Sequence, residues 1–559
     1  MQRGSPLGVA NLKVGVVIWA EGTNVKFRIS EGVKVERGQL LKVTEEVKYI
    51  LRVYDFKPES LLTPAEVARL SHRRERGEEV ILYDRSLRLY DTALATILCE
   101  IDEEGRVHGP TSVPKLFSDV ETLDSLDLRL LNLGRGDIRI GVIRIGHKET
   151  NVSVALEGSR VIPHHILVSG VTGAGKSNLS KVIAFSIMKI KEPKYSLVLF
   201  DTESEYFKGV SLKGLGLAHL KEAEEKLFYF TNLIEEPMRI KITFRLRGIT
   251  LERNITSHPL KVSYSQLHPL DFILTGEFSP PQEELLWLLW REKGENWVRF
   301  LIYNASNLIY RLMKKTVHVN TINTVKRKVR YLLGKGDIFV KENLDVNFFQ
   351  ALLGAVGEGK VILIDMPYAS EGEEKLLVTS VARRIFYSYE EVRKTAPSRW
   401  EKLPYVLIVV EEAHKYLSKS SLMNNGEIKE NIFSIISKRG RKYKVGGLYI
   451  TQMPGELIEP VIRQALTKVI LPLPTKPDYM KVIQYSPYLD EAEEEIKTLD
   501  KGEALLVSPP SGMRFAVPIK VFSFEELVER ELEEECSLIR GKVLRSELRR
   551  NLPPRKEYY

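Results

Sequence analysis

The sequence predicts an α/β protein: a parallel sheet with covering helices, a small β-barrel domain in front of it and a helical subdomain inserted within it. Three observations carry this reading. Short apolar runs punctuated by turn residues fill residues 1 to about 150. From there strands alternate with helices, the pattern of a parallel sheet. At the junction a glycine-rich segment, "GVTGAGKSN", separates an apolar strand from an amphipathic run. The 559 residues leave room for about three domains at roughly 150 to 200 residues each. We place them at 1–150 (β-barrel), 151–520 (α/β) and 521–559 (charged tail).

In the first domain, "GVVIWAEGTNVKFRIS" reads as two strands around a turn at Glu21-Gly22-Thr23-Asn24. "GQLLKV", "YILRVYDF", "ATILCEIDEEGRV" and "DIRIGVIRIG" continue the strands. One helix, Thr63 to Gly77, interrupts them, with Pro64 suited to its first position. Candidate strands of the second domain are His165–Ser169, Ser196–Asp201, Lys360–Asp365, Val406–Val410, Leu448–Thr451 and Lys468–Leu473. Between the second and third, residues 215–345 carry helical periodicity, as in "PQEELLWLLWREK" and "TINTVKRKVRYLLGKG", and are expected to form the inserted subdomain. The tail is acidic in "FEELVERELEEE", then basic in "GKVLRSELRRNLPPRK". It reads either as a solvated helix with a frayed end or as a partner-binding arm.

Composition narrows the function class. Hydrophobic residues at 43% supply ordinary cores, and a net charge of +9 with pI near 9.1 permits nucleic-acid binding without establishing it. Cys99 and Cys536, the two cysteines, form no CxxC or metal pattern, which argues against a disulfide scaffold or zinc site. Met1 to Pro6 is polar and the apolar stretch Val14 to Trp19 is short, so no signal is expected. Nothing approaches the ~20 apolar residues that span a bilayer. A soluble cytoplasmic protein is the expectation, with no membrane partner.

The sharpest signal is Gly170-x4-Gly175-Lys176-Ser177, the phosphate-binding loop in its strand–loop–helix context. Gly173 and Gly175 let the backbone turn and aim N–H groups at phosphate oxygens, and the following helix presents its positive end. Lys176 reaches toward the β- and γ-phosphates of ATP and Ser177 toward Mg²⁺. Gly170, Thr172, Gly173, Ala174, Gly175, Lys176, Ser177 and Asn178 are the expected nucleotide contacts. A second match, Gly354 to Val361 ("GAVGEGKV"), lacks the Ser/Thr and precedes its strand, so it reads as a loop.

"YVLIVVEEAHKYL" then runs a buried strand straight into Glu411 and Glu412. Two adjacent carboxylates there are costly unless a cation compensates them. Glu411 is expected to hold Mg²⁺ through its water shell, and Glu412 to act as general base on the attacking water. The competing reading is that both acids cap the next helix. "GGLYITQMP" ends in Gln452, placed to sense the γ-phosphate or, alternatively, to bond the backbone. Arg439 and Arg441 in "SKRGRKYK" are candidates for an arginine finger serving a neighbouring subunit's ATP, or form a solvated basic turn.

With these pieces in order, the chain resembles the HerA family of archaeal hexameric DNA translocases, relatives of FtsK. The likeness rests on the β-rich start, "GVTGAGKSN", "FDTESEYF", the inserted helices, "VVEEAHKYL" and "SKRGRKYKVGGLYITQMPGEL". Two departures stand out. After the second strand Asp201-Thr202-Glu203-Ser204-Glu205-Tyr206 keeps only the Asp and Glu-Tyr of the family's pattern, and His164 stands where an Arg is usual, with Arg160 nearby. The resemblance implies a RecA-like P-loop core, a homo-hexameric ring around double-stranded DNA, ATP with Mg²⁺ between subunits, and a NurA-type nuclease partner in end resection. Basic residues of "VKRKVR" (Lys326, Arg327, Lys328, Arg330) are candidate phosphate contacts, though a helix spreads them over several faces. Two other functions compete: a motor of the same fold that moves protein, and a scaffold that binds ATP only to assemble.

Overall fold

The structure, a computed structural model, describes residues 12–550 except 81, 132, 147, 210–213, 247, 314–316, 345–346 and 425–426; side chains are described for these apart from 125, 423–428 and 541–550. The polar start Met1 to Pro6 and the last residues of the basic tail, 551–559, lie outside the described residues. Two compact units emerge. One comprises Met1–Glu157, Ser169–Ala174 and Leu466–Val521; the other comprises Gly158–Val168, Gly175–Ala465 and Phe522–Tyr559.

In the first unit an antiparallel sheet runs in the order Asn24–Ile29, Lys13–Glu21, Asp119–Thr122, Leu40–Thr44, Lys48–Ser60, Leu89–Ile101, Val107–His108. Asn24–Ile29 also pairs with Leu89–Ile101, so six strands follow one another around a closed circuit. Alternation explains the closure: Val14, Val17, Val25, Phe27, Leu41, Val43, Leu51, Val53, Ala93 and Ala95 point into a single core. The first two strands meet at Glu21↔Asn24, leaving Gly22, at φ +59°, and Thr23 as a two-residue hairpin loop. The helix Pro64–Glu75 starts as expected. Thr63 caps it with Glu66 in a reciprocal box, and no residue of the helix is buried.

One expectation fails here. "DIRIGVIRIG" forms a strand, Ile138–Ile145, but it lies in a different sheet from the barrel strands. It pairs with Lys148–Leu156 and with Val517–Val521, and that strand with Glu503–Val507. Thr467–Ile470, within the expected strand Lys468–Leu473, joins Glu503–Val507 antiparallel. Apolar periodicity identifies a strand but carries no information about a neighbour several hundred residues away.

In the second unit the strand order is Met238–Leu246, Ile249–Pro259, Leu227–Thr231, Val361–Asp365, Tyr195–Asp201, Tyr405–Val410, Val445–Thr451, Ile166–Ser169. The central strands pair in parallel and bury nearly every residue, as continuous apolar runs must when both faces are covered. The expectation of helix throughout 215–345 is corrected. Leu227–Thr231 enters the sheet, and Met238–Leu246 pairs with Ile249–Pro259 as a hairpin whose inward and outward residues alternate. "MRIKITFRL" has period two, not 3.6. The helices come later, at Pro269–Ile273, Pro280–Lys293, Trp297–Tyr303, Ser306–Leu312 and Val319–Leu333. The expected loop Gly354–Val361 is the end of the helix Phe348–Gly357 and a turn at Glu358–Lys360.

The acidic stretch of the tail opens the helix Phe524–Arg550, which lies along its own unit. Val528, Leu532 and Cys536 are buried, Glu531 pairs with Lys189, and Glu535 pairs with Arg253. Among the described residues no helix is long and apolar enough to cross a membrane.

Candidate functional site

The strand Ile166–Ser169 is buried throughout and delivers the chain to Gly170. Gly173 at φ +78° and Gly175 at φ +112° hold the loop in left-handed backbone, where a side chain costs about 1 kcal/mol or more. Ala174 N–H closes it onto Val171 O at 3.2 Å. The helix Lys176–Lys189 begins at the next residue and is anchored by Leu179, Val182, Ile183 and Ile187. Lys176 and Ser177 therefore stand in its first turn, at the positive end of the dipole. Burial holds the Lys176 ammonium below its usual range, while Glu412 and Glu411 pull it back up. Lysine and both acids thus share one electrostatic site.

The strand Tyr405–Val410 sits between Tyr195–Asp201 and Val445–Thr451, so Glu411, Glu412 and Gln452 all leave the sheet at the carboxyl edge of parallel strands. Burial pushes the Glu411 carboxyl up to about 7. The Tyr206 hydroxyl, which donates to it, works against that rise, and the neighbouring Asp201, Glu205 and Glu412 add to it. The helix His414–Leu417 has no side-chain cap, so the reading of the acids as caps fails. Glu412 adopts φ +46°, an uncommon conformation for a residue of this kind. Its Oε1 accepts from Gln452 Nε2 at 2.7 Å, and its Oε2 lies 3.3 Å from His414 Nδ1. The same imidazole nitrogen is 3.3 Å from Thr451 Oγ1. Glu412, Gln452 and His414 form one connected group.

His414 and Tyr206 were not assigned roles from sequence, although both fall inside the quoted "EEAH" and "DTESEY" segments. Asn178, expected among the nucleotide contacts, commits its side chain elsewhere: Nδ2 donates to Phe522 O at 2.7 Å, and Oδ1 accepts from Phe524 N–H at 2.8 Å. It fastens the start of the last helix, and no pattern in the sequence announces a partner so distant.

The arginines lie elsewhere. Arg439 pairs with Glu390 at 2.5 Å and stacks over Phe386 and Tyr443, while Arg441 is exposed. Both precede Val445–Thr451, whereas Gln452 follows it. Seven residues at ~3.3 Å each put about 20 Å between them and Gln452. Neither can serve this subunit's own loop. His164 Nδ1 meets Arg160 O at 2.6 Å. In "VKRKVR", Lys326 bonds Asn304 O at 2.6 Å, Lys328 bonds Gln282 at 3.0 Å and Arg330 bonds Ile302 O at 3.0 Å. Only Arg327 of the four has no protein partner assigned to it in these bonds, which weakens the segment as a phosphate contact.

Among the described residues no group of three or more His, Cys, Asp or Glu side chains gathers to hold a metal. Ser177 and Glu411 are the residues that could hold a cation, one that keeps most of its ligands as water and substrate phosphate.

Residues 138–385 match the family described as "Helicase HerA, central domain". The chain is 26% identical over 478 residues to the DNA double-strand break repair helicase HerA of Pyrococcus furiosus, covering 80% of each. It is 25% identical over 442 residues to the protein of the same name from Sulfurisphaera tokodaii, covering 78% of this chain and 79% of that one. A looser likeness, at 12% identity and TM-score 0.43, links it to the plasmid coupling protein TrwB solved with ADP and Mg²⁺, over 66% of this chain and 87% of that one.

Proposed function

Because the chain belongs to the HerA family, we propose that it is an ATP-driven motor that translocates double-stranded DNA during break repair. We further propose a homo-hexameric ring with ATP bound between subunits, acting beside a NurA-type nuclease. The N-terminal circuit of strands is then the ring's small barrel and the parallel sheet its RecA-like core. One observation carries the enzymatic part: Lys176, Glu411, Glu412 and Gln452 converge at one sheet edge, with Glu412 tied to Gln452 at 2.7 Å.

The residues divide the work of hydrolysis. The loop N–H groups and Lys176 hold the phosphates. Ser177 and Glu411 would hold Mg²⁺ together with ATP, and the cation would supply charge neutralisation at the phosphates. Glu412 accepts the proton of the attacking water, with His414 and Gln452 fixing its carboxylate. Gln452, bonded to the base, is placed to register whether a γ-phosphate is present. The distance of Arg439 and Arg441 from their own loop supports a role at a neighbour's nucleotide. The net charge of +9 and the relatives' name, DNA double-strand break repair helicase, support DNA as the cargo.

Triplex displacement tests the proposal. A third strand annealed to a duplex is released by a motor that tracks the duplex, without any need to unwind it. ATP-dependent release is the expected result. Vigorous ATP hydrolysis with no release on any duplex length points instead to a motor that moves protein.

A further inference from the structure

We propose that Tyr206 is a positioning residue for Glu411: its hydroxyl fixes one carboxylate oxygen and so turns the other toward the cation that accompanies ATP. The inference rests on the nucleotide-site reading above and deepens it. It concerns the segment "DTESEY", which the mechanism leaves unused.

Two strand-end aspartates build this segment. Asp201 and Asp365 are register partners at the ends of adjacent parallel strands. The Asp201 carboxylate accepts the backbone N–H groups of Glu203 at 3.2 Å, Glu205 at 3.1 Å and Tyr206 at 2.8 Å. Asp365 accepts from Ser204 Oγ at 2.8 Å and from Tyr229 OH at 2.6 Å. Between these tethers Ser204 takes φ +56°, a conformation held only where the surroundings over-determine it. The chain is thereby curled so that Tyr206 is almost fully buried, at 2% exposure. Its ring lies 5.3 Å beneath Lys181 Nζ of the phosphate-loop helix, and its hydroxyl donates to Glu411 Oε1.

A phenol in this setting differs from water as a partner for a carboxylate. It donates a single proton from a fixed direction, and the bond to a charged acceptor is a strong one. With Oε1 held, Oε2 is the oxygen left to face the solvent shell of a cation. Groups behind a ligand of this kind commonly change metal affinity by about 10- to 100-fold. The bland account is that a buried tyrosine merely needs an acceptor for its hydroxyl. The two accounts differ in what the hydroxyl does for metal-dependent nucleotide binding.

The test uses Tyr206→Phe in the full chain and a fluorescent ATP analogue, with binding followed in EDTA and then as Mg²⁺ is titrated. The expected result is unchanged affinity in EDTA and a Mg²⁺ midpoint raised about tenfold. An unchanged Mg²⁺ midpoint overturns the proposal, whether or not stability falls. Should the variant not fold, Ser204→Ala loosens the same loop and is expected to raise the midpoint about threefold, a smaller share of the same effect; no rise there overturns the proposal equally. The underlying reading fails separately: a wild-type protein whose nucleotide binding ignores Mg²⁺ refutes the site itself.

Discussion

Glu412→Gln is the perturbation that isolates the proposed base. Glutamine is nearly isosteric with glutamate, and its amide oxygen still accepts from Gln452 Nε2, now at 2.7 Å from Oε1. The change falls on the other oxygen, 3.3 Å from His414 Nδ1, which becomes an NH₂ group unable to take a proton. Glutamine tolerates φ +46° about as well as glutamate does, so no new backbone cost arises. Binding of ATP, held by the loop and Lys176, should stay within about twofold. General-base catalysis contributes about 10²- to 10⁴-fold, which at about 1.4 kcal/mol per tenfold is about 3 to 5 kcal/mol of barrier. The assay is steady-state phosphate release at saturating ATP, with analogue binding and thermal unfolding as controls. A kcat within about fivefold of wild type, with the protein folded, refutes the assignment of Glu412; an unchanged kcat for Glu411→Gln as well refutes the site.

Other consequences are open to direct measurement. Burial pushes the His165 imidazole from 6.5 down to about 4, with Gly447 N–H donating to Nδ1 at 3.0 Å and Nε2 meeting Ser437 O at 3.1 Å. Its folded pKa is depressed, so below 6.5 the unfolded chain binds the proton first. Stability is complete above 6.5 and falls as pH drops toward 4, by about 3 kcal/mol in all. Urea titrations of wild type and His165→Gln at pH 7 and pH 4.5 should show a smaller loss in the variant. Arg441→Ala removes an exposed side chain and should leave the unfolding midpoint unchanged while lowering kcat at least tenfold if it is the finger. Arg439→Ala gives up the Glu390 pair and its stacking, and should lower the midpoint; mixing each with wild-type subunits reads out action in trans. Asn178→Ala deletes two bonds to the start of the last helix, at about 1 kcal/mol each. Faster amide exchange in Phe524–Cys536 with unchanged nucleotide affinity is the expected result, and protection equal to wild type contradicts the fastening role.

What was legible in the sequence shares a physical basis. Polar residues placed where burial is expensive, as at Lys176, Glu411, Glu412 and Gln452, need a chemical reason, and the strand preceding each was visible as a continuous apolar run. Local spacing alone points to such a candidate site. Contacts between residues far apart in sequence were not legible: Tyr206 to Glu411, Asn178 to Phe522, and the joining of Ile138–Ile145 to Val517–Val521. The hairpin at 238–259 was missed for a different reason. Its residues alternate with period two, but the stronger helical pattern that begins at Pro280 dominates the stretch around it.

The central claim is that hydrolysis at this site is coupled to duplex DNA. The measurement that tests it most directly is the steady-state ATPase rate of the purified chain at low salt, alone and with blunt duplex, single strands or RNA. The account predicts stimulation by duplex, lost as salt rises, because phosphate contacts release counterions. A rate indifferent to every nucleic acid across that salt range contradicts it.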